Sequence, residues 1–186
     1  MRLLAIDPGT TKSGWVVIDG TGKPLKSGWA ENAELLGRIG TESLTEIAIE
    51  DITSYGMPVG KDVFETVRWT GRFDHAASLT QLPATYIGRK EVMLELCGSV
   101  RGKDSTLRQA AIDRFGGDEI AVGGKKCQTC KGKGWLGRDH VVCGDCHCAV
   151  IAKGCGFVTH PGVLHGFKGS HMFSALGVAL TYIARL

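Results

Sequence analysis

The sequence predicts an α/β layered fold built on a mixed sheet. Short apolar runs come first and close together: "LLAID" at 3–7, "SGWVVID" at 13–19 and "PLKSGWAE" at 24–31. Helical patterns and further strands then alternate, and the chain closes on an apolar helix, "SHMFSALGVAL" from Ser170. No internal repeat is present. A chain of 186 residues is long enough for one domain with a proper core and a small appended module.

The first three runs, separated by a Gly-containing turn at 20–22, read as an antiparallel meander. "AELLGRI" (33–39) is a short helix or an irregular segment, and "EIAIED" (46–51) is a buried strand ending on acids. After the turn-rich "TSYGMPVG", a helical pattern runs from about Lys61 to Ala77, with Val63, Phe64 and Val67 on one side. "ATYI" (84–87) is a fifth strand, and "RKEVMLELC" (89–97) a short helix. "DSTLRQAAIDRFG" (104–116) has a capping Asp or Ser, then Leu107, Ala111 and Phe115 at i, i+4, i+8, and a terminal Gly. Gly123 and Gly124 open a cysteine-rich segment, and "THPGVLHGFKG" is a loop before the last helix.

No apolar run approaches the roughly 18 residues needed to cross a bilayer. The start, "MRLLAIDPG", meets Asp7 and Pro8 too soon for a signal peptide. The expected location is therefore cytoplasmic, with no membrane partner. The formal net charge is +3, and its distribution is uneven. Between Lys125 and Cys155 stand six basic residues (Lys125, Lys126, Lys131, Lys133, Arg138, Lys153) and two acids (Asp139, Asp145). That segment is about +4 and the remainder about −1, as suits an element that touches phosphates or a solvated lysine-rich loop.

Of the seven cysteines, Cys97 stands alone and six fall between 127 and 155. "CQTCKGKGWLGRDHVVCGDC" is CxxC, twelve residues, CxxC, the spacing of a closed tetrahedral zinc site. Cys127, Cys130, Cys143 and Cys146 are the expected ligands of one structural Zn²⁺, with His147, Cys148 and Cys155 in reserve. A closed four-thiolate site leaves no open position for catalysis. The first half, CxxCxGxG, resembles the zinc-finger repeats of DnaJ-type chaperones, which implies metal binding by this single module. The expected organisation is a core of residues 1–124 and 156–186, with a zinc-binding insertion at 125–155. Lys131, Lys133, Arg138 and Trp135 on the insertion are candidate DNA contacts, through phosphate pairing and stacking. The insertion is alternatively readable as an inert, solubilised segment or a protein-docking module.

Asp7 and Glu50 each end a hydrophobic strand. Strands often end on an acid because they end at the surface. On neighbouring strands, however, both carboxylates emerge at one sheet edge and converge, which suits Mg²⁺ or Mn²⁺. Two such ions about 4 Å apart activate a water and stabilise the leaving oxygen of a phosphodiester. Asp51 follows Glu50 and faces the opposite side.

"AIDPGTTKSGWVVID" resembles the first motif of the RNase H-like nucleases, and specifically of the RuvC-type Holliday junction resolvases, where the acid of "IDPGxxxxG" is a metal ligand. Pro8-Gly9 makes a tight turn that exposes the acid, and Thr10, Thr11 and Gly14 are expected to let a DNA backbone approach. "IAIEDI" resembles the family's second motif, with Glu50 as ligand. "VGKDVFETVRWTGRF" and "GRKEVMLELCGSVRGKDSTLRQAAIDRF" resemble later segments of phage and bacterial members. The family's last helix carries DxxDAL or HxxDAL. Here "HMFSAL" puts His171 at the first position, as ligand or base, and Ser174 where the final Asp belongs. At the start of its helix, His171 is expected to be held neutral by the macrodipole. Asp104 is the reserve carboxylate, or alternatively a helix N-cap.

The resemblance implies an RNase H-like five-stranded mixed sheet flanked by helices. It also implies a Mg²⁺- or Mn²⁺-dependent endodeoxyribonuclease with two ions per site, hydrolysing phosphodiesters at four-way junctions. Two symmetric nicks imply a homodimer on branched DNA, in a bacterial cell or phage-infected host. The implied catalytic set is Asp7, Glu50, His171 and Asp104. Helices 61–77 and 89–97 are candidates for the dimer face and junction contact, and Arg68, Arg72, Arg89, Lys90, Arg101 and Lys103 for phosphate contacts or ordinary surface charges. Two alternatives stay open: a same-fold nuclease acting on flaps, forks or RNA–DNA hybrids, and a non-catalytic branched-DNA-binding or adaptor protein.

Overall fold

The computed structural model describes residues 1–54, 56–123, 129, 135–136, 141–142 and 162–186. It divides into two compact units, Met1–Ala111 with Phe167–Leu186, and Ile112–Gly166.

The first unit is built on the strands β1 (Arg2–Asp7), β2 (Lys12–Asp19), β3 (Pro24–Glu31), β4 (Glu46–Asp51) and β5 (Ala84–Gly88). Their order is β3-β2-β1-β4-β5. The first three form the antiparallel meander, and β4 and β5 join parallel to β1 and to each other. The helices are α1 (Asn32–Thr41), α2 (Lys61–Leu79), α3 (Arg89–Cys97), α4 (Asp104–Arg114) and α5 (Gly169–Ile183). Parallel neighbours need crossovers; α1 lies on the one into β4 and α2 on the one from β4 to β5, while the other three follow β5. The predicted mixed five-stranded sheet flanked by helices is present.

Alternation along the strands divides the core into two layers. Leu4, Ile6, Trp15, Val17, Ile47 and Ile49 line one face, closed by Leu35 and Ile39 of α1 and by Phe73 and Ala77 of α2. The alternate residues Leu3, Ala5, Val16, Ile18 and Ala48 are buried too, and α5 packs over β1, β2 and β4. α5 is buried continuously from Met172 to Thr181. Gly177 shows why it is apolar all round: a Cβ there would lie 2.7 Å from Val92 Cγ1 of α3 and 3.3 Å from Leu107 Cδ1 of α4. The helix is enclosed on more than its sheet side.

One expectation about α2 is corrected. Phe64 and Val67, read as part of its apolar side, are exposed, and the buried stripe is Thr70, Phe73 and Ala77. The residues of α2 that meet the core come from its second half. Helix α4 stops at Arg114, with a turn at Phe115–Gly116.

In the second unit, Gly117 and Gly123 bound a π-helical turn, Asp118–Val122. Ala121 and Leu164 are buried there, and Leu164 N–H donates to the Ala121 carbonyl at 2.8 Å. A Cβ at Gly162 would lie 2.0 Å from the Ile120 carbonyl oxygen, so only glycine fits this crossing. The short strands β6 (Trp135–Leu136) and β7 (Val141–Val142) pair antiparallel. Among the described residues, no helix is long and apolar enough to cross a membrane.

Candidate active site

One row across the sheet organises the site. Trp29 of β3 pairs with Gly14 of β2, and Gly14 with Asp7 of β1. Glu50 of β4 lies one step beyond the Ile6–Ile49 pair, beside Asp7, and itself pairs with Ile87 of β5. Residues in one row share a face, here the α5 face. Period-two patterning from Leu3 and from Glu46 is thus what turns Asp7 and Glu50 toward the same space. Asp51 is exposed, as the alternation requires.

The two carboxylates are nearly buried, Asp7 9% and Glu50 7% exposed. Burial pushes the Glu50 carboxyl up to about 8, and the neighbouring Asp7 adds to it through its charge and a hydrogen bond; Arg89 opposes the rise. His171 arrives from the first turn of α5 and places Nδ1 2.8 Å from Asp7 Oδ2. That contact raises the His171 pKa, against the opposing effect of burial. The carboxylate in hydrogen-bond contact thus acts on this imidazole in the opposite direction to the helix start.

Gly14 explains how α5 comes so close. A Cβ at this position would lie 2.4 Å from the His171 carbonyl oxygen and 2.8 Å from its Cβ. The glycine expected to admit a DNA backbone instead admits the start of α5. The turn between Asp7 and Gly14 is fixed by a buried network absent from the sequence expectations. Ser13 Oγ donates to Asn32 Oδ1 at 2.6 Å and accepts from Gly9 N–H at 3.2 Å, while Asn32 Nδ2 donates to the Gly9 carbonyl at 2.9 Å. Asn32 starts α1, so this network ties the turn to the helix behind it.

Ser174 lies one turn beyond His171, buried, and its Oγ accepts from Arg89 Nη1 at 3.0 Å. Arg89 Nη2 forms an ion pair with Asp104 at the start of α4. Asp104 thereby reaches the site through Arg89. On the opposite flank, the Trp29 ring is parallel to the His171 imidazole, with planes 2° apart and centroids 6.2 Å apart. Lys12 Nζ sits 5.1 Å from the Trp29 ring centre. Trp29 was legible only as an aromatic on a strand, because its neighbours come from β2 and the far end of the chain.

The remaining basic candidates separate by place. Arg101 and Lys103 are exposed on the α3–α4 connection, and Lys90 is exposed beside Arg89. Arg68 and Arg72 belong to α2, whose buried stripe faces the opposite side of the sheet from Asp7 and Glu50; Arg68 pairs with Glu65, and Arg72 lies 4.3 Å from the Trp69 ring centre. A groove of about 300 Å³ opens beside Asp104, lined also by Ser105, Arg108, Phe167, Gly169 and Ser170.

The donor chemistry suits a hard divalent cation. The sheet brings two carboxylates together, and burial and the charge of Asp7 favour a proton on Glu50; Asp7 and Glu50 would hold a divalent cation, which would supply the positive charge in that proton's place. Among the described residues, no group of three His, Cys, Asp or Glu is arranged to hold a metal ion together. His171 is turned onto Asp7, so the fit rests on the carboxylate pair. Cys127, Cys130, Cys143 and Cys146, the reserve ligands His147, Cys148 and Cys155, and Lys131, Lys133 and Arg138 lie outside the described residues. Cys97 is a free, half-buried thiol.

No protein-family model matches the chain, and no curated protein matches it by sequence. Solved structures do match. The structure of Thermus thermophilus RuvC is matched over 100% of this chain and 96% of that one, with a TM-score of 0.54 and 18% identity. T. thermophilus RuvC in complex with Holliday junction substrate is matched over the same shares, with a TM-score of 0.55 and 16% identity. The likeness covers the whole chain and establishes the fold as RNase H-like, of the RuvC type.

Proposed function

We propose that this chain is a divalent-cation-dependent endonuclease that hydrolyses phosphodiesters in branched DNA, with the four-way junction as its substrate. The observation that carries this reading is the row that sets Asp7 beside Glu50 under His171, on a sheet of the RuvC type. The Holliday junction in the complex of the similar T. thermophilus protein supports the choice of substrate.

Asp7 and Glu50 would hold the cation, which supplies Lewis-acid charge to a phosphate oxygen. The chain's own groups do the rest. Glu50 gives up its proton when the cation binds, so binding strengthens with rising pH. His171 has Nδ1 engaged by Asp7, leaving Nε2 to exchange a proton with water or substrate. Trp29 steadies the imidazole by stacking and, half exposed with Lys12 over its ring, gives a base and a phosphate somewhere to rest. Arg101 and Lys103 add exposed positive charge on the Asp104 flank, across the site from Trp29.

Paired nicks require two sites related by a two-fold axis, hence a homodimer. Residues 125–155 are proposed as an insertion held by one structural Zn²⁺ on Cys127, Cys130, Cys143 and Cys146, with Lys131, Lys133 and Arg138 as DNA contacts. Ser174 in place of an acid favours a second reading, a branched-DNA-binding adaptor without activity.

A panel of labelled substrates with Mg²⁺ or Mn²⁺ tests both. Symmetric nicks in the four-way junction, and weak cutting of flaps, forks, RNA–DNA hybrids and linear duplex, is the expected result. Preferred cutting of another branched substrate would reassign the specificity; junction binding without cleavage of any substrate would move the assignment to the adaptor.

A further inference from the structure

Ser174 brings no charge to the site, and Arg89 brings one. Arg89 is the first residue of α3, immediately after β5, whose Ile87 pairs with Glu50. A cation in the first turn of a helix opposes the macrodipole, so α3 gains nothing from it there. Its side chain is nonetheless drawn inward, 25% exposed, with Nη1 on Ser174 Oγ at 3.0 Å and Nη2 on Asp104. It is close enough to act electrostatically on Glu50. A guanidinium stays charged at every accessible pH, and its five donors leave some for a phosphate after Ser174 and Asp104 are served.

Taking the nuclease reading as its premise, we propose that Arg89 is a built-in cation that replaces a second divalent ion, so that Asp7 and Glu50 bind a single one. The charges agree. Once a cation has displaced the Glu50 proton, three carboxylates (Asp7, Glu50 and Asp104) and one guanidinium, beside a neutral His171, leave two negative charges, which one divalent ion balances. An acid at position 174 would add the charge that calls for another ion. Ser174 instead offers a neutral oxygen, which the guanidinium can occupy without a repelling or competing ion. Held from two sides, Arg89 presents a fixed positive charge to a phosphate with little reorganisation.

Titration of the full-length chain with Mn²⁺, read by calorimetry and electron paramagnetic resonance, tests this directly. The expected result is one Asp7-dependent Mn²⁺ per chain and no exchange-coupled Mn²⁺ pair. Arg89→Gln should tighten Mn²⁺ binding about tenfold, because a positive charge leaves the site. The same variant should slow junction cleavage about 100-fold, as loss of a preorganised donor does. A merely structural arginine would weaken both. Arg89→Lys should keep the wild-type Mn²⁺ affinity within about threefold, since the charge is retained. The double variant Arg89→Gln, Ser174→Asp should gain a second Mn²⁺ and the coupled signal. Two Asp7-dependent Mn²⁺ in the wild type, or weaker binding in Arg89→Gln, would overturn the role of Arg89 and leave the nuclease reading standing. No Asp7-dependent Mn²⁺ at all would remove the nuclease reading and this proposal with it. The wild-type stoichiometry decides the matter even if Arg89→Gln fails to fold.

Discussion

Replacing Glu50 with glutamine separates the electrostatic cost of the site from its chemistry. The Glu50 carboxyl rises from 4.5 to about 8 in the folded chain, chiefly through burial and then through Asp7. Between those values the folded state keeps a proton that the unfolded state releases, so stability falls as pH rises. At about 1.4 kcal/mol per pH unit, the loss across the window reaches up to about 5 kcal/mol, a large part of a typical domain's stability. His171 acts in the same direction. Its pKa is raised by Asp7, so its contribution is present below about 6.5 and fades as pH climbs through the folded value. Glu50→Gln keeps the shape and hydrogen-bonding capacity of the protonated acid but cannot ionise. Urea unfolding at pH 5, 6.5 and 8, without added divalent metal, measures the difference. The wild type should lose several kcal/mol more than the variant between pH 5 and pH 8. Added Mg²⁺ should restore the wild type alone. Parallel stability curves, or a variant less stable than the wild type at pH 8, would refute the claim that the two carboxylates share a buried, mutually unfavourable site.

Other outcomes follow from the packing. Gly14→Ala should cost about 1–3 kcal/mol in chemical denaturation and depress cleavage, because its Cβ meets the His171 backbone. Gly37→Ala on α1, with nothing within 4 Å of its Cβ, should instead stabilise by about 0.5–1 kcal/mol. Asn32→Ala leaves the Ser13 hydroxyl and the Gly9 carbonyl without their partner and should cost about 1–3 kcal/mol. Purified protein should carry about one Zn²⁺ per chain by elemental analysis, given two CxxC pairs. Loss of that zinc in Cys127→Ser is expected, and zinc retained in Cys127→Ser and Cys143→Ser alike would count against the proposed ligand set.

The sheet and its two terminal acids were legible because a period of two is a strong local signal. Once "LLAID" and "EIAIE" are strands, the parity of Asp7 and Glu50 decides their face. What escaped was set by distant partners. The choice of Thr70, Phe73 and Ala77 over Phe64 and Val67 depends on which part of α2 packs on the core, which no local pattern encodes. Gly14 looked like a place for a ligand because its true neighbour, the start of α5, lies at the other end of the chain. The partner of His171 is hidden for the same reason, since the helix start is visible in sequence and Asp7 Oδ2 beside Nδ1 is not. Arg89 stood among several basic residues, and only the fold distinguishes it, by aiming it at Ser174 and Asp104. Ser13 and Asn32 are polar residues of ordinary appearance whose pairing across a strand and a helix start holds the turn after Asp7.

The most direct test of the central claim is the cleavage of a labelled four-way junction with Mg²⁺ or Mn²⁺, comparing the wild type with Asp7→Asn. The wild type should introduce metal-dependent paired nicks. Asp7→Asn should bind the junction with unchanged affinity and cut it at least about 100-fold more slowly, a loss of roughly 2.7 kcal/mol of transition-state stabilisation. Cleavage that survives Asp7→Asn would contradict the assignment of the site.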